Sequence, residues 1–172
     1  GNPNKNVGIE MSIGIFDVSG FNRGGMSLKA SRNLGKGWGL AIGRENTMIW
    51  GNGNDATGSN FVSASRIFFL KAENKWFSAL TITGGLGDGR FRTISQTLTN
   101  SGINVFGSAA IRVQQPVSFI TEWTGQDMNV GLSLTPFRKI PFFLNPTLLD
   151  VAGNAGDGTR FSFSGGMAYA FN

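Results

Sequence analysis

The stretch Arg160-Phe161-Ser162-Phe163-Ser164-Gly165-Gly166-Met167-Ala168-Tyr169-Ala170-Phe171-Asn172 constrains this chain most. Apart from Gly165, every odd position from Phe161 to Phe171 carries a large apolar side chain. Every even position from Ser162 to Ala170 is Ser, Gly or Ala. Side chains alternate across a β-strand with a period of two, so this is a strand with one greasy face and one small face.

The same pattern recurs from the start of the chain. Val7 to Ile15 alternates cleanly, with Glu10 on its small-residue face, and Asp17 to Gly25 reads as a loop. Met26, Leu28 and Ala30 alternate with Ser27, Lys29 and Ser31; Leu34-Gly35-Lys36-Gly37 is a tight turn into Trp38, Leu40 and Ile42. Thr47 to Asn60 is expected to be a long loop around Trp50, and Phe61 to Ala72 a strand whose faces Arg66-Ile67-Phe68-Phe69-Leu70 obscures. Trp76 to Leu86, Ile103 to Gln114, Val117 to Thr124, Met128 to Thr135 and Phe142 to Val151 follow, the last with Pro146 predicting an edge, a bulge or a break. With the closing stretch this makes ten strands (eight remain possible) in a single domain spanning residues 1–172. Connections alternate between short turns and longer Gly-rich loops, with the Gly125-Gln126 hairpin the one exception among the long ones. An even strand count with short turns at one rim and long loops at the other predicts an all-β fold: an antiparallel, up-and-down transmembrane β-barrel.

Alternation alone does not distinguish a soluble barrel from a membrane one, because both have an apolar face. The opposite face does. In a soluble barrel it meets water and is rich in Lys, Glu and Thr. Here it is mostly Ser, Gly, Ala and Asn with isolated charges, Glu10, Lys29, Glu45, Arg112 and Glu122. Small residues and scattered opposite charges suit a narrow lumen in which charges pair. Only 15% of residues are charged, against roughly 25% in soluble domains. Trp38, Trp76, Phe137, Phe142, Tyr169 and Phe171 fall at the short-turn rim and Phe16, Phe61, Trp123 and Phe161 at the other, as two interfacial girdles require. Flanking of turns by aromatics in any β protein is the plainer explanation, and a soluble barrel, sandwich or subunit of a β-rich extracellular assembly stays open beside the membrane reading.

Tyr169-Ala170-Phe171 resembles the C-terminal aromatic signal of small bacterial outer-membrane β-barrel proteins, although Asn172 follows it. That resemblance implies a bacterial outer-membrane location, contact with outer-membrane lipid, and passage through the barrel-assembly machinery. Glu122 to Leu132 is also faintly similar to hairpins of barrels associated with exopolysaccharide export.

The chemistry is bounded by what the chain lacks. There is no His and no Cys, so the commonest general base and transition-metal ligand are missing, as are disulfides and thiolate sites. Barrel enzymes of this size that resemble the chain in architecture use a catalytic His, so no enzyme activity and no cofactor are expected. Net charge is +5 without a basic run longer than Arg138-Lys139, which argues against nucleic acid. Gly87-Asp88-Gly89-Arg90-Phe91 and Gly156-Asp157-Gly158-Thr159-Arg160-Phe161 are near-repeats. Functionally they read as Ca²⁺ loops, or as Arg90 and Arg160 holding anionic headgroups; the favoured reading is turn chemistry, since one Asp per loop is too little charge for such a site. The six Asp are expected at the long-loop rim as solvated charge. The expected role is structural or surface-interactive through the loops at Trp50 and Phe91, with a lumen filled by side chains. A narrow pore for ions or small solutes is the alternative, and a homo- or hetero-oligomer is possible.

Overall fold

The computed structural model describes residues 2–15, 19–51, 58–70, 76–137, 140–156 and 158–167. It holds ten strands: β1 (Gly8–Ile15), β2 (Gly24–Gly35), β3 (Trp38–Trp50), β4 (Ser59–Phe69), β5 (Ala79–Gly87), β6 (Asn104–Gln114), β7 (Val117–Trp123), β8 (Met128–Leu134), β9 (Phe142–Leu149) and β10 (Arg160–Met167). Helical structure among the described residues is a 3-10 turn, Gly89–Phe91, and a short helix, α1 (Ile94–Leu98). The strands form one sheet in sequence order from β1 to β10, antiparallel in the ladders of both halves. The fold class is therefore the all-β, ten-stranded, up-and-down topology that the alternation predicts. No described helix is long and apolar enough to cross a membrane, which says nothing of strands.

Contacts divide the chain into two compact units, Gly1–Ala64 with Gly85–Val105, and Ser65–Gly84 with Phe106–Asn172. In the first, β1 and β2 pair without interruption from Gly8↔Ser31 to Ile15↔Gly24. Lys36 and Gly37 join β2 to β3 with φ of 52° and 81°, the positive pair that lets a two-residue turn follow the strand twist. The β2–β3 register then jumps from Met26↔Met48 to Leu28↔Arg44, a bulge in β3 at which Asn46 takes φ 51° and donates its N–H to Ser27 Oγ at 3.0 Å. β3 thus runs on to Trp50. The loop expected from Thr47 is shorter because this bulge keeps Met48 to Trp50 paired with β2.

In the second unit β7 pairs with β8 from Val117↔Leu134 to Trp123↔Met128, and β9 with β10 from Phe142↔Met167 to Leu149↔Arg160. Pro146 sits inside this second ladder, opposite Phe163. Toward β8 the register steps from Gly131↔Thr147 to Leu134↔Leu144, passing over Pro146 and Asn145. The break falls where Pro lacks the N–H a ladder needs. The expected short turns are met at 36–37 and 115–116, both two-residue links; residues 71–75 and 138–139, within the other two connections expected to be short, lie outside the described residues.

Burial is inverted relative to a soluble domain. Phe91 is the one buried apolar side chain among the described residues, at 4% exposed. Ile9, Met11 and Ile13 on β1, Leu40 and Ile42 on β3, and Phe161, Phe163 and Met167 on β10 are all exposed, Ile9 to 72% and Phe163 to 61%. The alternation thus turns its greasy set outward and its small set inward.

The inward set is small because space is short. A Cβ on Gly43 would lie 2.6 Å from Phe61 Cζ and 2.8 Å from the Leu28 carbonyl oxygen, whereas one on Gly84 meets nothing within 4 Å. Gly43→Ala is expected to lower stability by about 1–3 kcal/mol, and Gly84→Ala to leave it unchanged or raise it by up to about 1 kcal/mol. Urea unfolding followed by Trp fluorescence checks the pair; equal effects would contradict the close packing at Gly43.

Candidate functional site

The inward face of the first unit carries two ion pairs and a folded loop. Glu10 and Lys29 are register partners on β1 and β2, and Lys29 Nζ lies 2.7 Å from Glu10 Oε2. Their side chains are 36% and 62% exposed, Lys29 the less so, so the pair is screened and contributes no more than about 1 kcal/mol. Glu45 lies within the β3 bulge and accepts from Arg90 Nη1 at 2.8 Å. Arg90 therefore points at a carboxylate of its own chain. Glu10, Ser12, Ser27, Lys29, Glu45 and Phe61 line a cavity of about 180 Å³.

Why the 3-10 turn reaches this face follows from its glycines. Gly89 takes φ 59°, and a Cβ there would fall 2.3 Å from Ser59 Oγ; a Cβ on Gly87 would fall 2.2 Å from the Phe91 ring. Their absence lets Arg90 N donate to Ser59 Oγ at 2.8 Å and lets Phe91 meet Phe61 edge-on, centroids 6.4 Å apart. The Arg90 guanidinium lies over the Phe91 ring at 5.4 Å. Phe61 accordingly faces inward and is not part of a girdle. Asp88 accepts from Asn60 N at 2.6 Å and Asn60 Nδ2 at 2.9 Å, and Asn60 Oδ1 accepts from Arg44 Nη1 at 2.9 Å. Burial pushes the Asp88 carboxyl up, but the Asn60 hydrogen bonds, with Arg92 and Arg44 beside it, leave it below the usual range. Turn chemistry is what this Asp-Gly pair performs.

The rest of the β5–β6 connection is ordered from within. Thr93 and Gln96 form a capping box on α1, Asn104 Nδ2 donates to Gln96 Oε1 at 2.8 Å and to the Phe91 carbonyl at 3.0 Å, and Arg92 Nε reaches the Gly102 carbonyl at 3.1 Å. The Thr-x-x-Gln spacing was a legible sign of a helix start. That Phe91 folds inward was not legible, because its partners Phe61 and Ser59 come from another strand.

The second unit places an acidic cluster between two loops. Glu122 on β7 and Asn129 on β8 are register partners, and Asn129 Nδ2 donates to Glu122 Oε2 at 3.2 Å. Asn129 Oδ1 in turn accepts from Asp150 N at 3.2 Å. Asp150 is fully buried and Asp127 is 5% exposed, so these two are not the solvated rim charge that the sequence suggests. Both Asp150 carboxylate oxygens accept from Ala155 N at 3.2 Å. The loops are tied further by Val151 N to the Met128 carbonyl at 2.9 Å and Gln126 Nε2 to the Asn154 carbonyl at 3.3 Å. Burial pushes the Asp127 carboxyl up, and the facing Asp150 carboxyl adds to it. Burial also acts upward on Asp150, but the Ala155 N–H, the Asp127 carboxyl and the charge of Arg160 hold it below the usual range. The two carboxyls are thus pushed apart, Asp127 upward and Asp150 downward.

The remaining expected residues are dispersed. Arg112 on β6 makes no ion pair or hydrogen bond through its side chain among the described residues, so the five-charge network does not form as one: Glu10 and Lys29 pair, Glu45 takes Arg90, and Glu122 takes Asn129. Trp38 opens β3, Trp123 closes β7 and Phe161 lies near the start of β10, all exposed, as is Trp76. Trp50 is the last residue of β3 and not a loop residue; its Nε1 donates to the Phe21 carbonyl at 3.3 Å. Arg160 opens β10 with its charge toward Asp150. Tyr169, Phe171 and Asp157 lie outside the described residues. Among the described residues no three His, Cys, Asp or Glu side chains are placed to hold a metal. Comparison with protein-family models, with curated proteins and with solved structures gives no match.

Two outcomes follow from the carboxyls. Asp88, depressed in the fold, contributes stability above its ordinary value near 3.8 that is lost as pH falls through its folded pKa. Asp127, raised in the fold, contributes stability at low pH that is lost as pH rises through its folded pKa. Asp127→Asn replaces the raised carboxyl by an amide that does not titrate, so it is expected to flatten the loss on the rising-pH side while Asp88→Asn flattens the acid side. Thermal unfolding across pH 3 to pH 9 or so checks both; identical profiles for wild type and Asp127→Asn would contradict the upward push on Asp127.

Proposed function

We propose that this chain is a non-enzymatic outer-membrane β-barrel of a bacterium, with its exposed apolar face against lipid and its inward face largely filled by its own side chains. The observation that carries this reading is the inverted burial: on β1, β3 and β10 the apolar member of the alternating pair is exposed, Ile9, Ile13, Leu40, Ile42, Phe161 and Phe163 among them. Contiguous apolar surface of that extent on a protein in water is an aggregation hazard, whereas hydrocarbon accommodates it. Strands of about ten residues tilted about 40° rise roughly 25 Å, the height of such an apolar band. The row Ile111–Phe119–Leu132 across β6, β7 and β8 lies on this face, with Phe119 and Leu132 exposed and Ile111 half-buried.

The filling supports a structural or surface-interactive role over transport. In the first unit the 3-10 turn lays Phe91 and Arg90 on the inward face, where Glu45 and Phe61 receive them. Outer-membrane lipid is then the standing partner, and the barrel-assembly machinery, reading the aromatic pair in Tyr169-Ala170-Phe171, the transient one. Long loops at one rim are the surface offered to other molecules. A narrow pore for small solutes is favoured by one observation, the cavity of about 510 Å³ on the inward face of the second unit; steady single-channel steps in planar bilayers would decide for it.

Facing gives the direct test. Ile111→Arg and Leu132→Arg are each expected to destabilise the protein by about 2–4 kcal/mol in a bilayer, while Ser133→Ala leaves it unchanged. The folded protein is expected to fractionate with outer membranes and to migrate differently in detergent gels before and after heating. Equal tolerance at all three positions, or a monodisperse protein in detergent-free buffer, would overturn the reading.

A further inference from the structure

We propose that the inward row Arg112, Ser118 and Ser133 is a binding site for a small soluble oxyanion, a phosphate or carboxylate group carried by a small molecule. The three residues are register partners across β6, β7 and β8, Arg112 opposite Ser118 and Ser118 opposite Ser133. Successive residues of a strand face opposite ways, so this row lies directly behind the apolar row Ile111–Phe119–Leu132 and away from any lipid that row meets. Together with Gln115, Thr135 and Phe137 it lines the cavity of about 510 Å³, a volume within the range of small-molecule sites.

What the cavity offers is donors without acceptor charge. No acidic side chain lines it among the described residues. Among the described residues the Arg112 guanidinium and both Ser hydroxyls make no side-chain hydrogen bond or ion pair, while the Thr135 hydroxyl is already engaged with the Pro116 carbonyl at 3.3 Å. The inward cations of the first unit are neutralised, Lys29 by Glu10 and Arg90 by Glu45; among the described residues Arg112 has no such partner. A guanidinium presents a planar fork that matches two oxygens of a carboxylate or phosphate, and the two hydroxyls extend that fork along the row. Phe137, Pro116 and Pro136 supply an apolar wall for the carbon skeleton of the ligand.

The inference does not rest on the membrane reading and is tested separately from it. The full chain in a nonionic, phosphate-free detergent is titrated with inorganic phosphate by calorimetry. Saturable one-site binding is expected, at least tenfold weaker in Arg112→Gln, several-fold weaker in Arg112→Lys and in the Ser118→Ala/Ser133→Ala double variant, and unchanged in Lys29→Gln. Because Arg112 makes no side-chain bond among the described residues, Arg112→Gln is expected to keep the wild-type near-UV circular dichroism. Binding that survives Arg112→Gln, or heats reproduced by chloride at equal ionic strength, overturns the site. Displacement of bound phosphate by phosphatidylglycerol micelles overturns the assignment to a soluble ligand.

Discussion

The backbone hydrogen-bond ladder is the interaction on which the rest of this structure depends. A soluble domain of this length is held by a packed apolar core; here a single described apolar side chain, Phe91, is buried. Stability must therefore come from strand-to-strand pairing and from whatever surrounds the exposed apolar face. Each strand from β1 to β10 finds its partner in its sequence neighbours, so the ladder is assembled from local pairings with little crossing of the chain. Two demands shape the side-chain choices: keep one face small enough for close approach, as at Gly43, and, on the proposed membrane reading, keep the other compatible with an apolar solvent.

Polar groups are placed to serve those demands. Charges on the inward face are met one to one where the partner lies on the next strand, as with Glu10 and Lys29, or where a loop folds in, as with Glu45 and Arg90. The β3 bulge and the glycines at positions 87 and 89 are the local devices that make the second pair possible, one re-aiming Glu45 and the others admitting Phe91. In the second unit, carboxyls at the loop end are handled by hydrogen bonds to backbone N–H groups, with Asp150 anchoring its loop through Ala155.

Much of the fold was legible because the side-chain period of a strand is two and is written directly in the sequence. The continuous ladders of β1, β7 and β10 lie where alternation is cleanest. Errors fell where the period is interrupted: the bulge at Asn46 hid the continuation of β3 to Trp50, and Pro146 left a break on one side of β9 that sequence could suggest but not place. The site was less legible than the fold. Glu10 with Lys29 could be anticipated, since both stand on small faces of adjacent strands. The partnering of Arg90 with Glu45, and of Asp127 with Asp150, joins positions far apart in sequence through loops whose paths no local pattern encodes.

The central claim is that adjacent residues of one strand face two different solvents. Because the chain has no Cys, single Ile42→Cys and Ala41→Cys substitutions allow spin labels on neighbouring positions of β3, one on each face. Power-saturation spectroscopy in lipid bilayers then compares collision with oxygen, which concentrates in hydrocarbon, and with a water-soluble nickel chelate. The account predicts high oxygen and low nickel contact at position 42, with nickel contact no lower and oxygen contact clearly reduced at position 41. High nickel contact at position 42 would contradict it.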